Sequence, residues 1–124
     1  MKAFRHIGIV VDDLKRAIYF YRVLLGLEIE SDKIEEGEFI DRILGVRGGK
    51  VRVIKLSGIK GGLVELLYYY QPQREKNKNK PINGFGYTHF AVTVDNIDKE
   101  YVKLKKKRVF FVSVPGVNPA KTAK

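Results

Sequence analysis

The sequence predicts an α+β fold made of two related modules, the second of them incomplete. The first observation behind this is an internal repeat: residues 4–14 and 87–97, 83 positions apart, align without a gap. Phe4 faces Tyr87, His6 faces His89, Gly8 faces Ala91, Val11 faces Val94 and Asp12 faces Asp95. The second is a switch inside each copy from strand alternation to helical spacing. The third is length: the elements after the first copy have only a partial match after the second, because the chain has 124 residues.

Element by element, residues 3–11 alternate and are rich in β-branched side chains, which predicts a strand. Asp12 is positioned to cap a helix in which Leu14, Ala17, Ile18, Tyr21 and Leu25 recur at helical spacing, and Gly26 ends it. Residues 27–34 read as a second strand and 39–44 as a short helix stopped at Gly45. Residues 50–57 alternate Val51 and Val53 with basic side chains, and Gly61-Gly62 opens a further strand over 63–70, in hairpin fashion. The linker spans 71–86, where Pro72, Pro81, Asn83, Gly84 and Gly86 stand among alternating Lys and Asn. In the second module the expected elements are a strand over 87–94, a helix capped by Asp95 and running to about Lys107, and a strand over 109–114. The organisation expected is thus one domain over 1–124: a first module at 1–70, the linker at 71–86, and a second module at 87–124 lacking its last two strands.

The cysteine count of zero removes disulfides, thiolate ligands and thiol nucleophiles, so any metal must be held by His, carboxylate, backbone or water. No apolar run approaches the ~20 residues of a membrane span and no signal-peptide pattern opens the sequence, so a cytoplasmic protein with no membrane partner is expected. The net charge of +10 is uneven: residues 1–70 carry 12 Lys and Arg against 10 Asp and Glu, and residues 71–124 carry 12 against 4. Lys103 and Lys105 to Arg108 close a helix, where cations complement the macrodipole. With no aromatic-basic stacking motif beside them, they predict no nucleic-acid partner.

Alternation places His6 on one strand face with Gly8 and Val10, and His89 with Ala91 and Thr93. Glu65 lies within Gly-Gly-Leu-Val-Glu-Leu-Leu-Tyr, where a carboxylate is costly to bury unless paired or bound to a cation. Two imidazoles and one carboxylate suit Zn, Ni, Co, Mn or Fe(II). Taken singly, each histidine reads equally as a core or edge residue and Glu65 as a carboxylate facing water. The repetition is what favours a site. Tyr69 and Tyr87 read as cleft walls or as ordinary aromatic packing, and Arg47 and Arg52 as surface residues.

Residues 6–14 (His-Ile-Gly-Ile-Val-Val-Asp-Asp-Leu), 17–21 (Ala-Ile-Tyr-Phe-Tyr), Leu25-Gly26-Leu27, 62–67 (Gly-Leu-Val-Glu-Leu-Leu) and 86–92 (Gly-Tyr-Thr-His-Phe-Ala-Val) resemble the vicinal oxygen chelate superfamily. That superfamily holds glyoxalases, extradiol dioxygenases and bleomycin-resistance proteins. The resemblance covers nearly the whole chain. It implies paired βαβββ modules forming a curved mixed sheet around a cleft that holds a divalent metal ion. It also implies His6 and Glu65 as the first module's ligands and His89 as the second module's first. By the repeat, the fourth ligand falls near position 148, past Lys124, so the resemblance points to a C-terminally truncated chain. It assigns no catalytic residue here.

The expected activity is that of a divalent-metal-dependent, glyoxalase-type lyase or isomerase (the lactoylglutathione lyase class), impaired if truncated. Its substrate would be a small molecule with vicinal oxygens. The alternatives are a metal-free dimer that sequesters a small molecule, as in bleomycin resistance, and a remnant with a fold and no activity. A sheet edge left open by missing strands predicts a homodimer, with strand exchange as one route to it.

Overall fold

The computed structural model describes residues 1–73, 79–87 and 89–117, apart from the side chain of Ile59. The chain divides into two compact units, Met1–Pro81 and Ile82–Lys124. The first unit contains β1 (His6–Val10), α1 (Leu14–Ile18) continued by a π-helical turn over Tyr19–Leu24, β2 (Glu28–Glu36), α2 (Glu38–Leu44), β3 (Lys50–Ile59) and β4 (Gly62–Gln71). The expected order of strands and helices in the first module is therefore observed, with boundaries displaced by a few residues.

The four strands form one mixed sheet in the order β1-β4-β3-β2. β2, β3 and β4 are successive antiparallel neighbours, while β1 pairs in parallel with β4. A parallel pair cannot be closed by a tight turn, so the chain between β1 and β4 supplies the helix and the two intervening strands as the crossover. The alternation of β4 sorts its side chains onto two faces. Val64 and Leu66 point to the face covered by the helix, where they join Leu27, Ile54 and Leu56 in a buried cluster. Ile7 and Ile9 from β1, with Leu14, Ala17, Ile18, Tyr21 and Leu25 from the helix, pack against that cluster. Burying each large aliphatic side chain contributes about 1.5–3 kcal/mol, so this face holds the sheet and helix together. Burial also pushes the Tyr21 phenol above its usual range.

The helix ends are locally encoded. Asp13, not Asp12, is the N-cap of α1: its carboxylate accepts from the Arg16 amide at 3.0 Å. Asp12 and Asp13 are both competent caps, and the extended backbone that a cap requires falls on the second of them. Gly45 closes α2 in the left-handed conformation, at φ 67°, which glycine adopts without steric cost.

In the second unit the helix α3 (Ile97–Lys106) forms as expected, and its N-cap is Asn96 rather than Asp95. Asn96 accepts from the Lys99 amide at 2.9 Å. Asp13 and Asn96, like Arg16 and Lys99, are 83 positions apart, so the two helices begin with one repeated cap. The strands expected over 87–94 and 109–114 are not formed among the described residues. The reason is visible in the first unit, where β1 is a strand by virtue of its ladder with β4. Residues 87–94 and 109–114 pair with no neighbouring strand among the described residues, and an extended segment without a partner has no ladder to join. Residues 118–124, the end of the expected second module, lie outside the described residues. Among the described residues no helix is long and apolar enough to cross a membrane.

Cavity and cap substitutions separate these contributions. Leu66→Ala, in the fully buried cluster, is expected to cost about 2–5 kcal/mol. Asp13→Ala should cost about 1 kcal/mol. Urea unfolding followed by circular dichroism measures both.

Candidate functional site

The register of β1 on β4 brings His6 and Glu65 together. Gly8 stands opposite Glu65 and His6 opposite Leu63, so His6, Gly8, Leu63 and Glu65 share the sheet face turned away from the buried cluster. Because Gly8 carries no side chain, the Glu65 carboxylate meets no side chain directly across on β1 and leans one pleat back toward the imidazole. His6 Nε2 donates to Glu65 Oε2 at 2.7 Å. A Cβ at position 8 would lie 3.2 Å from Leu67 Cδ1, so a larger residue there would crowd the same space. The pair is asymmetric in exposure: the imidazole is 43% exposed and the carboxylate 11%. The one buried charged residue of the described chain is thus satisfied by a partner that reaches solvent.

The donor set fits a divalent cation. Two adjacent ligands at ordinary N and O distances from one ion are separated by about 3.0–3.4 Å. His6 Nε2 and Glu65 Oε2 are a few tenths of an ångström closer, and a small side-chain rotation opens the gap. His89, the third expected ligand, is an exposed residue of the second unit. Among the described residues no group of three or more His, Asp and Glu side chains gathers around one point. What the structure assembles directly is the first module's pair.

Tyr69 shares the face of Glu65, through its pairing with Val51, whereas Tyr87 is fully exposed in the second unit. Arg52 pairs with Tyr68 and so points to the opposite face. There its guanidinium makes two hydrogen bonds to Asp32, of 2.8 and 2.7 Å. Those bonds hold the Asp32 carboxyl below its ordinary range and raise Arg52 further above its own. A groove of about 720 Å³ lined by Asp12, Asp13, Arg52, Tyr68 and Tyr70 lies on that helix-bearing side, and neither His6 nor Glu65 lines it.

One residue on the site face escapes a sequence reading. Lys55 stands directly opposite Glu65 on β3, and Ser31 opposite Lys55 on β2. A plain continuation of the β3–β4 hairpin from the Ile59–Gly62 pair would have put Leu56 there instead. The register shifts by one between Leu56 and Ile59, around Gly58 at φ 109°. A glycine inside a strand pattern was the available signal of that irregularity.

With fold and pair in place, comparison with known proteins identifies the class. The Glyoxalase/Bleomycin resistance protein/Dioxygenase superfamily matches residues 3–124, and the chain belongs to it. It is 30% identical over 114 residues to the lactoylglutathione lyase of Schizosaccharomyces pombe, covering 86% of this chain and 37% of that protein. It is 30% identical over 111 residues to the human mitochondrial methylmalonyl-CoA epimerase, covering 84% of this chain and 53% of that one. The chain therefore spans about a third to a half of the length of these curated relatives. A crystal structure of a glyoxalase family protein from Bacillus cereus superposes with a TM-score of 0.77 at 28% identity, covering 86% of this chain and 72% of that one.

The pair makes a stability prediction independent of function. His6→Ala strands the buried Glu65 carboxylate and is expected to cost about 1–3 kcal/mol. Replacing both residues by leucine should cost less than His6→Ala alone. Urea midpoints of the two variants decide the order.

Proposed function

We propose that this chain is a divalent-metal-dependent lyase or isomerase of glyoxalase type, acting on a small substrate that offers two adjacent oxygens. The observation that carries the proposal is the His6–Glu65 pair: an imidazole nitrogen and a buried carboxylate, 2.7 Å apart on the sheet face away from the helix. The names of the two curated relatives, a lyase and an epimerase, support the reaction class. His6 and Glu65 would hold Zn, Ni, Co, Mn or Fe(II), with His89 as the third ligand. When bound, such an ion supplies a Lewis acid that stabilises negative charge on a substrate's oxygens. Glu65 fixes the position of the donor pair from the buried side, and the more exposed His6 leaves the approach from solvent open. A cytoplasmic location is part of this proposal.

Metal titration of the stripped protein tests it. One Ni²⁺ or Mn²⁺ per chain is expected by calorimetry. His6→Ala, Glu65→Gln and His89→Ala should each weaken binding by more than the ~10–100-fold lost with a supporting residue. A protein that takes up none of Zn²⁺, Ni²⁺, Co²⁺ or Mn²⁺ would sink the metal-dependent proposal, leaving a metal-free binding module in its place.

The assembly we propose is a homodimer. In the second unit Phe110, Val112 and Val114 are 85%, 94% and 68% exposed and take part in no ladder among the described residues. β1 also ends the sheet, with one edge unpaired among the described residues. Strand pairing with a second copy, by exchange or by edge addition, would cover both. Sedimentation velocity at micromolar concentration should show a dimer, and a monomer would count against this assembly.

A further inference from the structure

We propose that Lys55 selects the substrate's charge at this site, and that the substrate class is a carboxylate-bearing small molecule whose carboxylate belongs to or adjoins the two chelating oxygens. The inference rests on the metal-dependent proposal above and adds to it the chemistry of what binds.

Four observations carry it. First, register: Gly8, Glu65, Lys55 and Ser31 form a row straight across the four strands on the site face. The next row toward the end of β1, Val10, Leu67 and Val53, is apolar until Lys33 on the edge strand β2. A lysine in the middle of such a face is unusual, since lysines are mostly exposed. Second, Lys55 is not there to neutralise Glu65. The two stand side by side, about 4.5–5.5 Å apart at Cβ as antiparallel neighbours. Yet among the described residues Glu65 pairs with His6, and no carboxylate lies within ion-pair distance of Lys55.

Third, the other cations that begin β3 are committed. Arg52 is held by Asp32, and Lys50 lies over the Tyr70 ring at 5.7 Å. Lys55 is the cation of that strand with no such partner among the described residues. Fourth, charge: a divalent ion held by one carboxylate and neutral imidazoles keeps one unit of positive charge, and Lys55 adds another beside it. A site of that net charge favours an anion over a neutral molecule of the same shape.

The competing role for Lys55 is to lay its aliphatic stem over apolar neighbours. Lys55→Met keeps the stem and removes the charge, so it separates the two. The probes are oxalate, a dianion with vicinal oxygens, and glycolamide, whose carbonyl and hydroxyl oxygens are vicinal and which stays neutral at pH 7. Binding of each to the Mn²⁺-loaded full chain is measured by calorimetry, at probe concentrations that leave the Mn²⁺ in place. The expected result is a loss of about tenfold or more in oxalate affinity for Lys55→Met, recovery in Lys55→Arg, and a glycolamide affinity within about twofold of the parent. Equal oxalate affinity in the parent and Lys55→Met overturns the inference, as does an equal loss for both probes. If the parent takes up no metal, the metal-dependent proposal fails by itself. Oxalate is then titrated into the metal-free parent and Lys55→Met, and the charge-selecting role stands only if binding is seen and depends on Lys55.

Discussion

Residues 6 and 65 meet because β1 passes over its neighbours in sequence and pairs with the last strand of the module. Everything in the first unit is arranged around that parallel ladder. It makes the helix a crossover, and it puts Ile7 and Ile9 beside Val64 and Leu66 on one face, where the helix buries them. On the other face it puts an imidazole beside a carboxylate. A single pairing thus builds the hydrophobic core and the donor pair back to back. The alternation of the strand puts Val64 and Leu66 on the core side and Glu65 on the other.

Much of this was legible in the sequence, for a reason that also explains what was not. Helices and caps depend on residues within one turn of each other, so α1, α2 and α3 follow from spacing and from Asp13, Gly45 and Asn96. Even the error of one position at both N-caps is the same error made twice. Asp12-Asp13 and Asp95-Asn96 each offer two competent caps, and backbone geometry chooses the second. The two faces of β4 follow from alternation, which is why Glu65 could be singled out beside His6. Strands depend on partners far away, and here the sequence misled. Residues 87–94 carry the same pattern as β1 but have no ladder among the described residues. Pattern states a preference for extended backbone, and only a neighbour turns it into a strand.

Lys55 shows the same limit at finer grain. Its place opposite Glu65 is set by a one-residue irregularity around Gly58, and a one-residue change of register moves every side chain beyond it to the other face. Residue types alone place Lys55 on β3 but not on the face of the pair. The superfamily's shared frame is compatible with relatives named for different reactions, a lyase and an epimerase.

The pairing of β1 with β4 has a kinetic side. The antiparallel contacts of β3 with β4 close a short turn, whereas His6 lies 57 positions from its partner Leu63. Of the ladders in this sheet it is the one with the greatest loop to close, and such contacts form late in folding because their entropy cost comes first. The donor pair therefore comes into existence only when β1 has joined β4. An ion held there would draw its affinity from the completed fold and stabilise that fold in return, making occupancy of the site a report on whether the first strand has docked.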